Sequence, residues 1–219
     1  MSDETSDVRV WDPLVRVGHV LLIAGFAAAY LSDGKPLWLH SWAGYIVGAV
    51  VALRVAWGFV GPRHARFADF VGSPVLGSPA RAVRYLADLV RLRAPRRLGH
   101  SPAGGLMVLA LLAGLAITSL TGTAYLAMSR DQGPLAPLLG PTALAGAPDG
   151  GRVIELTGEA RREARRRSRW LKEVHELAAN FTLALIVLHV GGVALATIAH
   201  RENLVRAMVT GRKRRESVP

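Results

Sequence analysis

Residues 175–201 have the sequence HELAANFTLALIVLHVGGVALATIAHR. No Asp, Glu, Lys or Arg lies between Glu176 and Arg201, and the run is long enough to cross a bilayer as a helix. His175 and His189 are fourteen residues apart, which places both imidazoles on one helix face, about 21 Å apart along its axis. An ionisable residue inside a membrane helix is costly and marks a candidate functional site. Paired imidazoles at two depths predict two stacked metal centres, with b-type haem as the candidate.

Three further segments are equally long and almost free of charge, and they lack the polar stripe of a soluble bundle helix. The sequence therefore predicts an all-α integral membrane four-helix bundle, forming a single membrane domain over residues 1–219. A helix start signal followed by an amphipathic pattern adds a short interfacial helix in the 61–103 connection. The four spans are predicted at about residues 13–32, 37–60, 102–128 and 170–200.

The arginines predict the orientation of these spans. Residues 61–103 contain eight arginines and the tail 201–219 contains six Lys or Arg, whereas the turn before the second span has a single Lys. By the positive-inside rule, both termini and the 61–101 connection are expected on the cytoplasmic side of a bacterial inner membrane, with loop 129–169 in the periplasm. Six arginines between Arg161 and Arg169 oppose this assignment, but long loops obey the rule less strictly.

The first span has a clear beginning. Residues 1–7 are polar and acidic and do not resemble a cleavable signal, so we expect the first apolar segment to be retained as a helix. Asp12 is a suitable N-cap and Pro13 suits the first helical position.

The composition excludes several classes of function. A net charge of +11 suggests nucleic-acid binding, but no such motif is present, and the arginines flank apolar spans, where lipid head groups are natural counterions. The absence of cysteine excludes disulfides, iron–sulfur clusters, thiolate zinc sites and covalently attached haem. Any haem must be held by side chains alone.

The predicted depths of four histidines match in pairs. His40 and His175 lie toward the outer face, and His19 and His189 lie toward the cytoplasmic face, so each pair is expected to bind one haem. The alternative is that each histidine only forms hydrogen bonds between helices. The remaining histidines fall in basic interfacial segments and are expected to be solvated or supporting groups rather than ligands: His64, His100 and His200.

Two arginines and a glycine extend the predicted site. Arg16 and Arg54 lie at the cytoplasmic ends of their spans, where no acidic residue of spans one or two is placed to pair with them, and haem propionates would supply that partner. Arg54 could instead extend to the lipid head groups. Gly44 follows His40 by four residues and, like Gly48, could clear space for a flat macrocycle or form an ordinary small-residue helix contact.

Five short motifs carry a resemblance to a known family. They are VWDPLVRVGH at residues 10–19, HSWAGY at 40–45, RVAWGFVG at 54–61 with Arg66-Phe67, GHSPAGG at 99–105, and His175-Glu176 with His189-Val190-Gly191. Together they resemble the bacterial cytochrome b-561 and nickel-hydrogenase b-type cytochrome family over nearly the whole chain. The resemblance implies four membrane helices, two b haems (iron) with bis-histidine ligation, and electron exchange with quinone. Its ligand positions match His19, His40, His175 and His189, whereas the 129–170 loop is longer and more basic than in a minimal member.

Two redox functions are compatible with these features. The favoured one is an electron-transfer subunit between the membrane quinone pool and a redox protein, such as a hydrogenase, a molybdenum enzyme or a c-type cytochrome. The other is a stand-alone quinone oxidoreductase acting on a small donor or acceptor. A non-redox transporter or scaffold is a third class. The sequence does not decide whether the chain forms a homodimer.

Overall fold

The computed structural model describes residues 7–69, 79–141 and 158–214. Four long helices dominate these residues, joined by short helices and closed by a two-stranded sheet. The elements in chain order are β1 (Asp7–Arg9), α1 (Pro13–Ser32), α2 (Leu37–Val60), α3 (Pro79–Val90), α4 (Pro102–Arg130), α5 (Ala136–Leu139), α6 (Gly158–Arg167), α7 (Arg169–His200), α8 (Leu204–Thr210) and β2 (Arg212–Arg214).

Helices α1, α2, α4 and α7 are each long and apolar enough to cross a membrane. The predicted all-α membrane class is therefore confirmed, and α3 is the short helix predicted in the 61–103 connection. The predicted cap of α1 is also present, because the Asp12 carboxylate accepts a hydrogen bond from the Val15 amide at 3.0 Å. Helix α6 contains five of the six arginines between Arg161 and Arg169, and residues 142–157 before it lie outside the described residues.

The chain divides into two compact units, and the division cuts each of the four long helices. The first unit comprises residues 1–23, 50–113 and 183–219, and the second comprises residues 24–49 and 114–182. That the whole chain forms one membrane domain stays a prediction. Each unit contains two of the four histidines singled out by the sequence.

In the first unit, a small sheet and the start of α1 are tied to neighbouring elements. Strands β1 and β2 pair antiparallel, with Val8 opposite Lys213. The second carboxylate oxygen of Asp12 accepts a hydrogen bond from the Trp57 indole at 3.3 Å, which joins the start of α1 to the end of α2. Gly18 packs beside Val50 at the same helix pair.

In the second unit, small residues allow the helices to approach closely. A Cβ on Gly25 of α1 would lie 2.8 Å from the Val47 side chain on α2. A Cβ on Gly114 of α4 would lie 2.6 Å from the Thr182 hydroxyl on α7. These contacts are typical of membrane helices, which pack through small residues rather than through apolar burial.

Large apolar side chains on the long helices are exposed rather than buried. A soluble protein rarely leaves so much apolar surface in water, whereas lipid tails accommodate it at no cost. The most exposed examples are Leu31, Phe59, Val60, Leu177 and Ile198. This distribution agrees with the membrane assignment.

Candidate functional site

The structure brings His40 of α2 and His175 of α7 together in the second unit. Their ring centres are 6.0 Å apart, and the ring planes make an angle of 78°. The Nδ1 atom of His40 lies 2.9 Å from the Ala29 carbonyl oxygen, and the Nδ1 atom of His175 lies 2.9 Å from the Thr118 carbonyl oxygen. Because a carbonyl only accepts, both Nδ1 atoms must donate, which leaves each Nε2 lone pair available to a metal.

Two further residues of the second unit shape this pair. The Ser32 hydroxyl donates to the Ala29 carbonyl at 2.8 Å and lies 3.3 Å from the His40 Nδ1 atom. On α4, a Cβ added to Gly122 would lie 2.8 Å from Cε1 of His175, so any larger residue there would displace the imidazole. Backbone carbonyls and one glycine therefore fix the rings.

His19 of α1 and His189 of α7 come together in the first unit. Their ring centres are 6.4 Å apart, with 65° between the ring planes. Within the part of the chain that the structure describes, neither ring forms a hydrogen bond to a protein group. These two rings are therefore less firmly oriented than those of His40 and His175.

The spacing of both pairs suits iron between two imidazoles. With a metal–nitrogen bond of about 2 Å and the nitrogen roughly 1 Å from the ring centre, two imidazoles on opposite sides of one metal have centres about 6 Å apart. The observed separations of 6.0 and 6.4 Å match this value. Among the described residues, no group of three or more His, Asp or Glu side chains could hold a metal ion, so a bare-metal site is not indicated there.

Arg16 and Arg54 lie in the first unit, as do His19 and His189. The Nε atom of Arg16 and one terminal nitrogen of Arg54 are buried without a hydrogen-bond partner among the described residues. Arg54 is only 8 % exposed and lies over the Phe67 ring, 5.3 Å from its centre, so it does not extend to the surface. Orphaned guanidinium nitrogens are costly and suit an anionic partner such as a haem propionate.

The two candidate glycines of α2 have different surroundings. A Cβ on Gly44 would meet no atom within 4 Å, whereas a Cβ on Gly48 would lie 3.4 Å from the Ser119 Cβ on α4. Gly48 is thus a helix contact, and Gly44 faces open space one turn from His40. In the first unit, Gly191 and Gly192 beside His189 also face open space. The helix surface is therefore open at Gly44, one turn from His40, and at Gly192, about one turn from His189.

The other three histidines contact residues near the ends of the spans. His64 pairs with Asp69 at 3.3 Å, and His200 lies 3.3 Å from the Tyr85 hydroxyl. His100 packs edge-on against Trp11, with ring centres 4.7 Å apart. Burial lowers the pKa of His100 to about 4, helped by the positive charge of Arg54, with Lys213 and His64 lowering it further and Asp69 opposing.

A family model for prokaryotic cytochrome b561 matches residues 10–211. The chain belongs to the prokaryotic cytochrome b561 family. The resemblance stated from the five motifs is confirmed, and the protein is a membrane b-type cytochrome that functions in electron transfer and binds haem b. Comparisons with curated proteins and with solved structures found no match. Haem fits the residues present, because paired imidazoles, orphaned guanidinium groups and open space occur together.

Sequence reasoning missed the groups that orient the imidazoles of His40 and His175. Ala29 and Thr118 act through backbone carbonyls, which every residue has, so no side-chain signal points to them. Gly122 did leave a signal, because it is a lone glycine between two threonines in an apolar span. A glycine there predicts close approach of another group.

Proposed function

We propose that this cytochrome binds two b haems per chain and carries electrons across the bacterial inner membrane. In this proposal, the haem at one membrane face exchanges electrons with membrane quinone, and the haem at the other face exchanges electrons with a redox partner protein. The observation that carries the proposal is that two separate histidine pairs have nearly the same ring separation, 6.0 and 6.4 Å. If the histidines only formed hydrogen bonds between helices, there would be no reason for both pairs to have the ring separation of bis-histidine ligation.

Each residue of the proposed sites has a distinct role. His40 and His175 would ligate the outer iron, with the Ala29 and Thr118 carbonyls holding their Nδ1–H groups and so presenting Nε2. Gly44 would leave the face beside His40 clear for the macrocycle. Backbone hydrogen bonds of this kind also raise ligand basicity, which tunes the redox potential of a bound metal.

The inner site would use a different set of groups. His19 and His189 would ligate the iron, and Arg16 and Arg54 would bind the propionates through their unpartnered nitrogens. When bound, the iron porphyrin supplies reversible one-electron chemistry at each site. The apolar helices insulate the two sites from lipid and water, which the one-electron route requires.

Two features of the chain support the remaining parts of the proposal. A cytoplasmic location of both termini agrees with the many arginines in the 61–103 connection and in the C-terminal tail. On α6, Arg162, Arg165 and Arg166 are exposed, and such a basic surface accelerates encounter with an acidic redox partner. A hydrogenase, a molybdenum enzyme or a c-type cytochrome is the class of partner we propose, with quinone as the small substrate.

Haem stoichiometry tests this proposal directly. The purified protein should contain two moles of non-covalent haem b per mole of chain, measured by the pyridine haemochrome spectrum against amino-acid analysis. Acid acetone should extract both haems, because the chain has no cysteine to attach them. A ratio near one, or haem left in the precipitate, contradicts the two-site proposal.

A substitution at Gly44 tests the placement of the outer macrocycle. Gly44→Leu introduces a side chain whose Cβ meets no protein atom within 4 Å, so the helices should still fold. The side chain would occupy the space proposed for the outer haem, and the ratio should fall from two to one. Gly48→Ala, at an ordinary helix contact, is the matched control and should keep both haems. Full haem content in Gly44→Leu would place the macrocycle elsewhere.

A further inference from the structure

An open groove of about 470 Å³ lies in the first unit, immediately after the C-terminal end of α7. Arg201, with a left-handed backbone (φ 49°), ends the helix and begins the groove. The walls are formed by β1, β2, α8 and the turn between α7 and α8. Five exposed arginines line it: Arg9, Arg201, Arg206, Arg212 and Arg214.

The described residues that line this groove carry far more positive than negative charge. Arg9 and Arg212 are directly opposite each other in the β1–β2 register, and like charges in that position destabilise a sheet. Among the side chains that the structure describes, no hydrogen bond or ion pair engages the guanidinium groups of these five arginines. A bound anion would relieve the repulsion and satisfy several of these donors.

The acidic residue in the groove does not supply that anion. Both carboxylate oxygens of Glu202 are held by Arg96, at 2.8 and 3.1 Å. Burial alone would raise the pKa of Glu202, but the Arg96 hydrogen bond and charge outweigh burial and lower it. Arg96 therefore neutralises Glu202, and the five lining arginines keep their net charge.

Lys213 also lines the groove, and its side chain holds strand β2 to the rest of the unit. Its amino group donates to the Arg97 carbonyl at 3.2 Å and lies 5.9 Å from the centre of a Trp11 ring. Burial lowers the pKa of Lys213. Strand β2 is thereby fixed, and the arginines on either side of Lys213 stay exposed.

Helix α8 adds an apolar edge to the basic groove. Val205 and Val209 are four residues apart, so they share one face, and they are 64 and 65 % exposed. Ala207 is buried against the unit, and the Asn203 side chain caps the helix by accepting from the Arg206 amide at 2.8 Å. An exposed apolar face beside cationic side chains is typical of a helix that lies in a membrane interface.

We propose that this groove binds the phosphate head group of an anionic phospholipid. The lipid belongs to the leaflet that meets the C-terminal end of α7, and its acyl chains lie against Val205 and Val209. A soluble phosphate compound would pair with the arginines but would leave the apolar face of α8 uncovered. The groove also begins one residue beyond a membrane-spanning helix. A basic pocket at such a position is suited to lipid head groups.

Native mass spectrometry of the delipidated, haem-loaded protein tests this site. The protein in uncharged detergent is titrated separately with phosphatidylglycerol and phosphatidylcholine. We expect one phosphatidylglycerol per chain to bind in preference to phosphatidylcholine. Arg206→Gln with Arg212→Gln should weaken this binding by about tenfold or more, because two charge-assisted hydrogen bonds are lost. The matched control is Arg81→Gln with Arg84→Gln, which removes two exposed arginines from α3 of the same unit and should change binding less than about twofold.

Three results would overturn the assignment. The first is equal weakening in the α3 control, which would indicate only a diffuse charge effect. The second is displacement of the lipid by inorganic phosphate at the concentration at which phosphate itself binds, which would indicate a free-anion site. The third is binding by the intact protein that is insensitive to salt, because a site built on charge must weaken as salt screens it. If the double Gln variant loses helical content, Arg206→Lys with Arg212→Lys replaces it, and this charge-conserving variant should retain binding.

Discussion

The two histidine pairs have similar spacing but different support. In the second unit, backbone carbonyls of Ala29 and Thr118 fix both imidazoles, and Gly122 leaves space for one of them. In the first unit, the described residues provide no hydrogen bond to His19 or His189, and one buried nitrogen on each of Arg16 and Arg54 has no hydrogen-bond partner among them.

This difference separates two ways of preparing a haem site. In the proposed sites, the outer pair would be organised by the protein before any cofactor binds, because its ring orientation is set by the backbone. The inner pair would be completed by the cofactor, because buried cationic nitrogens there need an anion to offset their desolvation. The inner site should therefore depend more on its charged neighbours, and the outer site more on helix packing.

Removal of a ligand should have the largest effect. His40→Ala and His175→Ala should each abolish the same haem component in the reduced-minus-oxidised spectrum, and His19→Ala and His189→Ala should each abolish the other. The reason is that one imidazole cannot replace bis-histidine ligation across helices. Low-temperature difference spectra of the four variants provide the measurement. If His40→Ala and His175→Ala removed different components, the assignment of ligands by pair would be wrong.

Gly122→Ala should selectively damage the outer pair. The added methyl group would lie 2.8 Å from the His175 ring, so the imidazole must move away from its carbonyl partner. We expect the outer component to lose most of its haem occupancy while the inner component stays intact, measured by haem content and difference spectra. Gly48→Ala is again the control, because its added Cβ makes only ordinary contact at 3.4 Å. Uniform loss of both components would indicate general misfolding rather than a local effect.

Arg54→Gln and Arg16→Gln should have a moderate effect confined to the inner pair. In the proposed inner site, each change would remove a positive charge that stabilises the reduced cofactor and holds a propionate, so the midpoint potential of the inner component should fall by tens of millivolts. Redox titration followed optically measures both components in one experiment. Arg130→Gln, an exposed arginine at the end of α4, should leave both potentials unchanged. An equal shift in the outer component would show that Arg16 and Arg54 do not belong to the inner site.

The smallest expected difference between the two units is in their stability at low pH, where we expect the first unit to be the more sensitive. The pKa of His100 is about 4 in the folded protein and near 6.5 when unfolded, so the unfolded chain binds more protons between these values. Stability contributed by neutral His100 is thus present above pH 6.5 and decreases as the pH falls toward 4. Thermal loss of the inner component, followed at pH 7 and at pH 4.5, measures the effect. His100→Asn should reduce this pH dependence, and an unchanged dependence would assign it to other groups.

Much of this architecture could be predicted from the sequence because lipid imposes a simple rule. Every backbone polar group inside a bilayer must be satisfied, so a long apolar segment becomes a helix whatever its neighbours are. The start of α1 at Asp12 and the presence of α3 follow from equally local signals. The four histidines stand out for the same reason, since an ionisable residue in such a segment is rare.

The sequence by itself determined the number of spans, the candidate ligands and the family, because each depends on residue types along one helix. Only the tertiary structure decided which atoms complete the sites. It distinguished Gly44, beside open space, from Gly48, at a helix contact, and it buried Arg54 instead of leaving it at the surface. It also placed Arg9 opposite Arg212, far apart in the chain, at the basic groove. Carbonyl partners, open space and uncompensated charge arise only when separate segments meet, and no pattern within one segment specifies them.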